Sequence, residues 1–126
     1  VMMFWIYKFI NDAFALKLIY QIIEQLPKEY FSLKQQILSS TQSIPRLTAE
    51  GFAKKSYEKE FKHFLRMAMG SSDETLLILE KFGYWQKNKN IDLNLVKVAF
   101  SEYKIISKQL NSLIKNWIDY AKINKK

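Results

Sequence analysis

Along most of the chain, apolar positions recur at spacings of three, four and seven, the period of helices that each bury one stripe. Four such runs are present. From about Met3 to Leu26, Trp5, Phe9, Leu16, Ile19, Ile23 and Leu26 share a side, with Asp12 at the skipped position. Pro27 ends this run, because the residue before a proline avoids helical dihedrals. The second run begins near Ser32, which has capping-box spacing to Gln35, and carries Leu33, Ile37, Ile44 and Leu47. Pro45 inside it predicts a kink or a split, and Gly51 a stop or a bend. The third runs from about Tyr57 to Phe82 behind Ser56 as N-cap, with Phe61, Phe64, Leu65, Ala68, Leu76, Leu79 and Phe82 inward. Gly70 and Ser71 fall in its middle. Glycine there costs ~1 kcal/mol against alanine, so the pair predicts a close helix–helix crossing. In the fourth, from about Asp92 to Lys122, Val96, Ala99, Tyr103, Ile106, Leu110, Leu113, Trp117 and Tyr120 alternate spacings of three and four, a coiled-coil seam.

Connections this short between long helices predict an all-α fold, an antiparallel up-down four-helix bundle forming one domain over residues 1–126. Gly83 to Asn90 reads as a polar, lysine-rich loop. With 3 glycines and 2 prolines, the chain lacks the residues that repeated hairpins need. Val1 to Ile10 is almost wholly apolar and Ala13-Phe14-Ala15 imitates a cleavage site. No basic residue precedes that stretch, however, and the amphipathic pattern continues to Leu26, so it reads as core. No apolar run approaches the ~20 residues that span a bilayer. The absence of cysteine excludes disulfides and thiolate metal sites and fits a cytoplasmic location.

Charge changes the picture. The formal net charge is +8, from 20 Lys+Arg against 12 Asp+Glu, and Arg46 and Arg66 are the only arginines. An excess of this kind favours polyanions. Lysine acts as a point charge, whereas arginine's fork suits bidentate contacts with base edges, so the composition points to phosphate rather than to sequence reading. Residues 46–70 hold six basic and three acidic groups, and residues 91–126 hold seven and three. Lys55, Lys59, Lys62 and Arg66 are spaced to line one helix face, with Lys54 and Arg46 nearby. These six are the candidate nucleic-acid-binding residues. Lys97, Lys104, Lys108, Lys115 and Lys122 fall on the solvent side of the last seam, where any bundle must solvate its surface. Glu58 and Glu60 interleave with the first group, as plain solvation would also have it.

Candidate chemistry is sparse. His63 is the sole histidine. Glu60-Phe61-Lys62-His63 spells half of the inward motif of di-iron bundles, but no second histidine exists to complete it. Neither a nucleophile elbow nor a glycine-rich phosphate loop is present. Glu50, between Ala49 and Gly51, and Glu74, after Gly70-Ser71-Ser72, would form an acid–base couple if they converged. The reading is of a protein that is not an enzyme, with no metal and no cofactor.

The central stretch also carries a resemblance. Ser43-Ile44-Pro45, Ala49-Glu50-Gly51, Lys55-Ser56, Glu60-Phe61, Phe64-Leu65, Ala68 and Gly70-Ser71 resemble the proteins encoded within intervening sequences of bacterial 23S ribosomal RNA genes. More distantly the chain is similar to accessory proteins of diversity-generating retroelements. Pro27-Lys28-Glu29, Leu33 and Gln36-Ile37 match before this block, and Glu74, Leu79 and Gly83-Tyr84 after it. The sequence departs where the family has asparagine, here Leu47, and where Ala53 replaces a common glycine. The resemblance implies a four-helix bundle assembled as a homopentamer, a basic surface and association with RNA or another nucleic acid. The rival reading is a protein-interaction scaffold, with the aromatic residues Trp5, Trp85 and Trp117 lining the interface, or an accessory subunit, for example of a reverse-transcriptase complex as the retroelement relatives imply.

Overall fold

The computed structural model describes residues 13–84 and 91–124. Helix α1 (Ala13–Glu24) leads through a 3₁₀ turn (Lys28–Tyr30) into α2 (Phe31–Ala53), followed by α3 (Glu58–Tyr84) and α4 (Leu93–Asn124). Each helix packs on its neighbours in the chain, and α4 closes the ring against α1. The backbones of the diagonal pairs stay apart among the described residues. Contacts between helices fix their directions. Gln42 of α2 reaches Tyr20 of α1, Ser40 of α2 meets Thr75 of α3 while Gly51 meets Phe64, and Ser72 and Phe61 of α3 meet Ser107 and Trp117 of α4. Numbers rise in one helix as they fall in the next, so neighbours are antiparallel. This is the all-α up-down bundle that the hydrophobic pattern predicts.

The core follows the predicted stripes most closely in α4, where Val96, Ala99, Tyr103, Ile106, Leu110, Leu113 and Trp117 are all buried. Tyr120 lies outside the residues whose side chains are described. In α1 the stripe is rotated: Ala15, Leu18, Ile19, Ile22 and Leu26 are buried, whereas Leu16 and Ile23 are half-buried. That helix is apolar on several sides, so spacing alone does not choose the inward one. The apolar stretch Val1 to Ile10, the third-to-fourth helix loop from Trp85 to Asn90, Trp5 and Trp85 lie outside the described residues.

Five local expectations are corrected. Helix α2 is not split at Pro45, and it continues two residues past Gly51. Ile44 and Leu47, on either side of the proline, are both buried, and that packing offsets the hydrogen bond which the missing N–H removes. Ser32 and Gln35 form no capping box: α2 starts at Phe31 directly from the 3₁₀ turn, and Tyr30 occupies its N-cap position without capping it through a side-chain hydrogen bond. Ser56 sits one residue too early to cap α3, whose first N–H···O=C bond runs from Phe61 to the Tyr57 carbonyl. Gly70 is exposed, and a Cβ built there would meet nothing within 4 Å. The close crossing is at Gly51 instead, where a Cβ would lie 3.3 Å from Phe64 Cβ and 3.4 Å from the Phe61 carbonyl oxygen.

The core also holds hydroxyls. Ser40, Thr41, Thr48, Ser72 and Thr75 are buried. Thr41 and Thr48 donate to carbonyls four residues back, at 2.7 Å each, which satisfies them within α2. Ser40 and Thr75 join α2 to α3 at 2.8 Å. Ser72 donates to the Tyr103 carbonyl at 3.1 Å and accepts from Ser107 at 2.7 Å, fixing the rotation of α4 against α3. Asp92 starts α4: its carboxylate accepts from the Asn94 N–H at 2.9 Å, and its own N–H donates to Gln25 at the end of α1 at 2.7 Å.

Candidate nucleic-acid interface

The six candidate residues lie toward the α2–α3 end of the bundle, on two helices and the turn between them. Arg46 lies on α2, Lys54 and Lys55 in the turn after it, and Lys59, Lys62 and Arg66 on α3. Lys55 is therefore displaced from the helical row its spacing suggests, because α3 begins only at Glu58. Three of the six have a carboxylate close by. Arg46 Nη1 is 3.4 Å from Glu50 Oε1, Lys54 Nζ is 3.4 Å from Glu60 Oε2, and Lys62 Nζ is 3.5 Å from Glu58 Oε1. Lys54 also lies over the Phe64 ring, 5.6 Å from its centroid. The Lys62 side chain is only 12% exposed, so its ammonium sits at the edge of the core. Lys55, Lys59 and Arg66 are exposed and make no ion pair among the described residues. The acids have a structural reason to be here: Glu58 and Glu60 occupy the first turn of α3, where the free N–H groups and the helix dipole favour negative charge.

Helix α4 presents a different surface. Lys97, Lys104, Lys108 and Lys115 are all exposed, and none is in an ion pair among the described residues. At 100° per residue the four fall within about 40° of one another and extend about 27 Å along the axis. Ser101 and Asn111, both exposed, lie between them, and from residue 93 to 117 the sole carboxylate is Glu102, roughly 140° around the helix from the row. Sequence reading placed these lysines on the solvent side but not in the candidate site. The signal available there was the missing acids, since the spacing of seven, four and seven already aligns them.

The remaining chemical candidates do not assemble. His63 is exposed, 5.7 Å in an edge contact from the ring of its neighbour Phe64. Among the described residues no three His, Cys, Asp or Glu side chains could hold a metal ion. Glu50 faces Arg46, and Glu74 is exposed on α3. Trp117 is buried against Phe61, ring centroids 4.2 Å apart, so it serves the core rather than an interface. Burial raises the Tyr103 phenol above its ordinary range, and its backbone carbonyl is what α3 uses. No helix among the described residues is long and apolar enough to cross a membrane.

Fold and core together define a class: a helical bundle with an apolar and hydroxyl-lined core, in a chain of formal net charge +8. Residues 8–112 match the family model described as 23S rRNA-intervening sequence protein, and the chain belongs to that family. Searches of curated proteins and of solved structures each returned no match.

Proposed function

We propose that this protein is a non-enzymatic, nucleic-acid-associated bundle that works as a homo-oligomer and holds RNA through its phosphates. The observation that carries this reading is uncompensated surface charge. The chain bears +8, yet only three ion pairs form among the described residues, all of them at the α2–α3 end. The Arg46–Glu50 and Lys54–Glu60 pairs are exposed and contribute little, roughly 0–1 kcal/mol, so a phosphate can displace them. Arg46, Lys54, Lys55, Lys59, Lys62 and Arg66 then contact phosphates at that end. Lysine's predominance makes the contact indifferent to base sequence. Five copies around a ring would sum the field of each basic face.

The test is affinity for RNA of scrambled sequence between about 50 and 200 mM salt. Contact with 6–10 phosphates should cost roughly 10³–10⁵ in affinity over that range. Absence of binding at the low end would reject the reading. Exposed Phe31 (66%) and Tyr57 (68%) favour a second reading, a scaffold that docks a protein partner. Capture of one defined partner that survives RNase treatment would support it.

A further inference from the structure

We propose that the outer face of α4, built from Lys97, Lys104, Lys108 and Lys115, is the principal docking surface for the phosphate backbone of a nucleic-acid duplex. The inference rests on the proposed function, which supplies a nucleic acid as the partner. It adds which surface binds and which form of nucleic acid fits.

Four features carry it. The row is straight, about 27 Å long on a single rigid helix, so its cations keep their spacing before a ligand arrives. Its own helix places no acid within it: Ser101 and Asn111 separate the lysines and Glu102 lies on another side, while Asp73 of α3 reaches its edge, 3.0 Å from Ser107, without pairing with any of the four among the described residues. Half the cations of the α2–α3 patch, by contrast, have a carboxylate within 3.5 Å. The row is also held in aim. Ser72 of α3 bonds both the Tyr103 carbonyl and the Ser107 hydroxyl, at 3.1 and 2.7 Å, and these two positions flank Lys104 and precede Lys108. Finally, every member is lysine, the residue that meets phosphate as a point charge.

The same face argues against other anionic partners. Single strands are gripped by aromatic platforms on which bases stack. Here Tyr103 and Trp117 are buried, and Phe100 is half-buried beneath Lys104, whose ammonium lies 5.7 Å from the ring centroid. A membrane surface would need an apolar face to insert. The apolar face of α4 is committed to the core from Val96 to Trp117, leaving only Val98 and Ile105 exposed beside the lysines. A duplex asks for neither stacking nor insertion.

The experiment compares three proteins: the full chain, a row variant (Lys97→Gln, Lys104→Gln, Lys108→Gln, Lys115→Gln) and a patch variant (Lys55→Gln, Lys59→Gln, Arg66→Gln). The probes are an RNA duplex of about 20 base pairs, long enough to extend past the row at either end, a single strand of the same composition, and phosphatidylserine vesicles. Log affinity is followed against log salt, with circular dichroism as the check on folding. The expected result is duplex binding whose slope falls by about 3 to 4 in the row variant, near 0.9 for each phosphate released, and by less in the patch variant. Lys108→Gln alone should lower the slope by about 1, which keeps the test available if the fourfold variant misfolds. A row variant with the unaltered slope, beside a patch variant that has lost it, would overturn the α4 surface while leaving RNA association intact. Preference for the single strand or for vesicles over the duplex would also overturn it. Failure of the full chain to bind any nucleic acid at about 50 mM salt would remove the proposed function itself.

Discussion

The two basic faces of this bundle differ less in how many cations they carry than in what stands between them. At the α2–α3 end, six cations spread over two helices and a turn, and Glu50, Glu58 and Glu60 sit among them. On α4, four lysines stand in line with only Ser101 and Asn111 between them. Two of these acids, Glu58 and Glu60, are explained by helix initiation, because α3 begins there and its free N–H groups attract carboxylates. The α4 row begins at Lys97, beyond the cap that Asp92 supplies, and needs no further acid. Positive charge near a helix start is therefore partly neutralised by the requirements of the helix. Positive charge along a helix body is not, and it remains available to a ligand.

Both faces depend on one shared support, and removing it is the largest expected effect. Phe61 is fully buried between Phe52, at 5.5 Å edge-on, and Trp117, so it ties α2, α3 and α4 together. Phe61→Ala should cost about 3–5 kcal/mol in denaturant unfolding. A loss below 1 kcal/mol would mean that the two ends of the bundle do not share a core.

Gly51 separates the faces. Any side chain there meets Phe64 Cβ and the Phe61 carbonyl, and a carbonyl in a helix cannot step aside. Gly51→Leu should destabilise by about 1–3 kcal/mol and displace the α2–α3 patch, while duplex affinity through α4 persists in the folded fraction. Gly70→Ala should act in the opposite direction. The position is an exposed helix interior with nothing within 4 Å of the new methyl, so stability should rise by about 1 kcal/mol in the same assay.

The smallest effect concerns pH. Burial raises the Tyr103 phenol above its ordinary value of 10.0 in the folded chain. A raised folded value means that the unfolded chain gives up this proton first. The associated stability is therefore complete below pH ~10 and is lost as pH climbs beyond it. Thermal unfolding should show this alkaline decline in the parent chain and a shallower one in Tyr103→Phe. Parallel declines would assign the effect to other groups.

Much of the bundle was legible in its spacing. The α4 seam, alternating threes and fours, names buried residues from Val96 to Trp117 without a miss. The glycines and the proline were misread because their roles depend on the facing helix. Nothing local distinguishes Gly51, which touches α3, from Gly70, which faces open space. Pro45 is a helix breaker in isolation, but Ile44 and Leu47 hold the chain to the core on both sides of it. The buried hydroxyls carry no apolar signal of their own. Yet Thr41 and Thr48 alternate with Ile37 and Ile44 at spacings of four, three and four, which is the inward stripe. The site was legible in charge but not in rank. The six residues at the α2–α3 end stood out by density in the sequence, whereas pairing with acids is settled only in space.

The most direct measurement makes α4 resemble α2–α3 without removing a single lysine. Ser101→Glu with Asn111→Glu places a carboxylate three or four residues from each of the four lysines. Gln35→Glu with Gln36→Glu adds the same charge to an exposed stretch of α2, as the control. If α4 is the phosphate-binding face, the first pair should lower the salt slope for duplex RNA by about 2, and the control should leave it nearly unchanged. Equal slopes in the two variants would contradict the account, because net charge alone, and not the unpaired lysine row, would then govern binding.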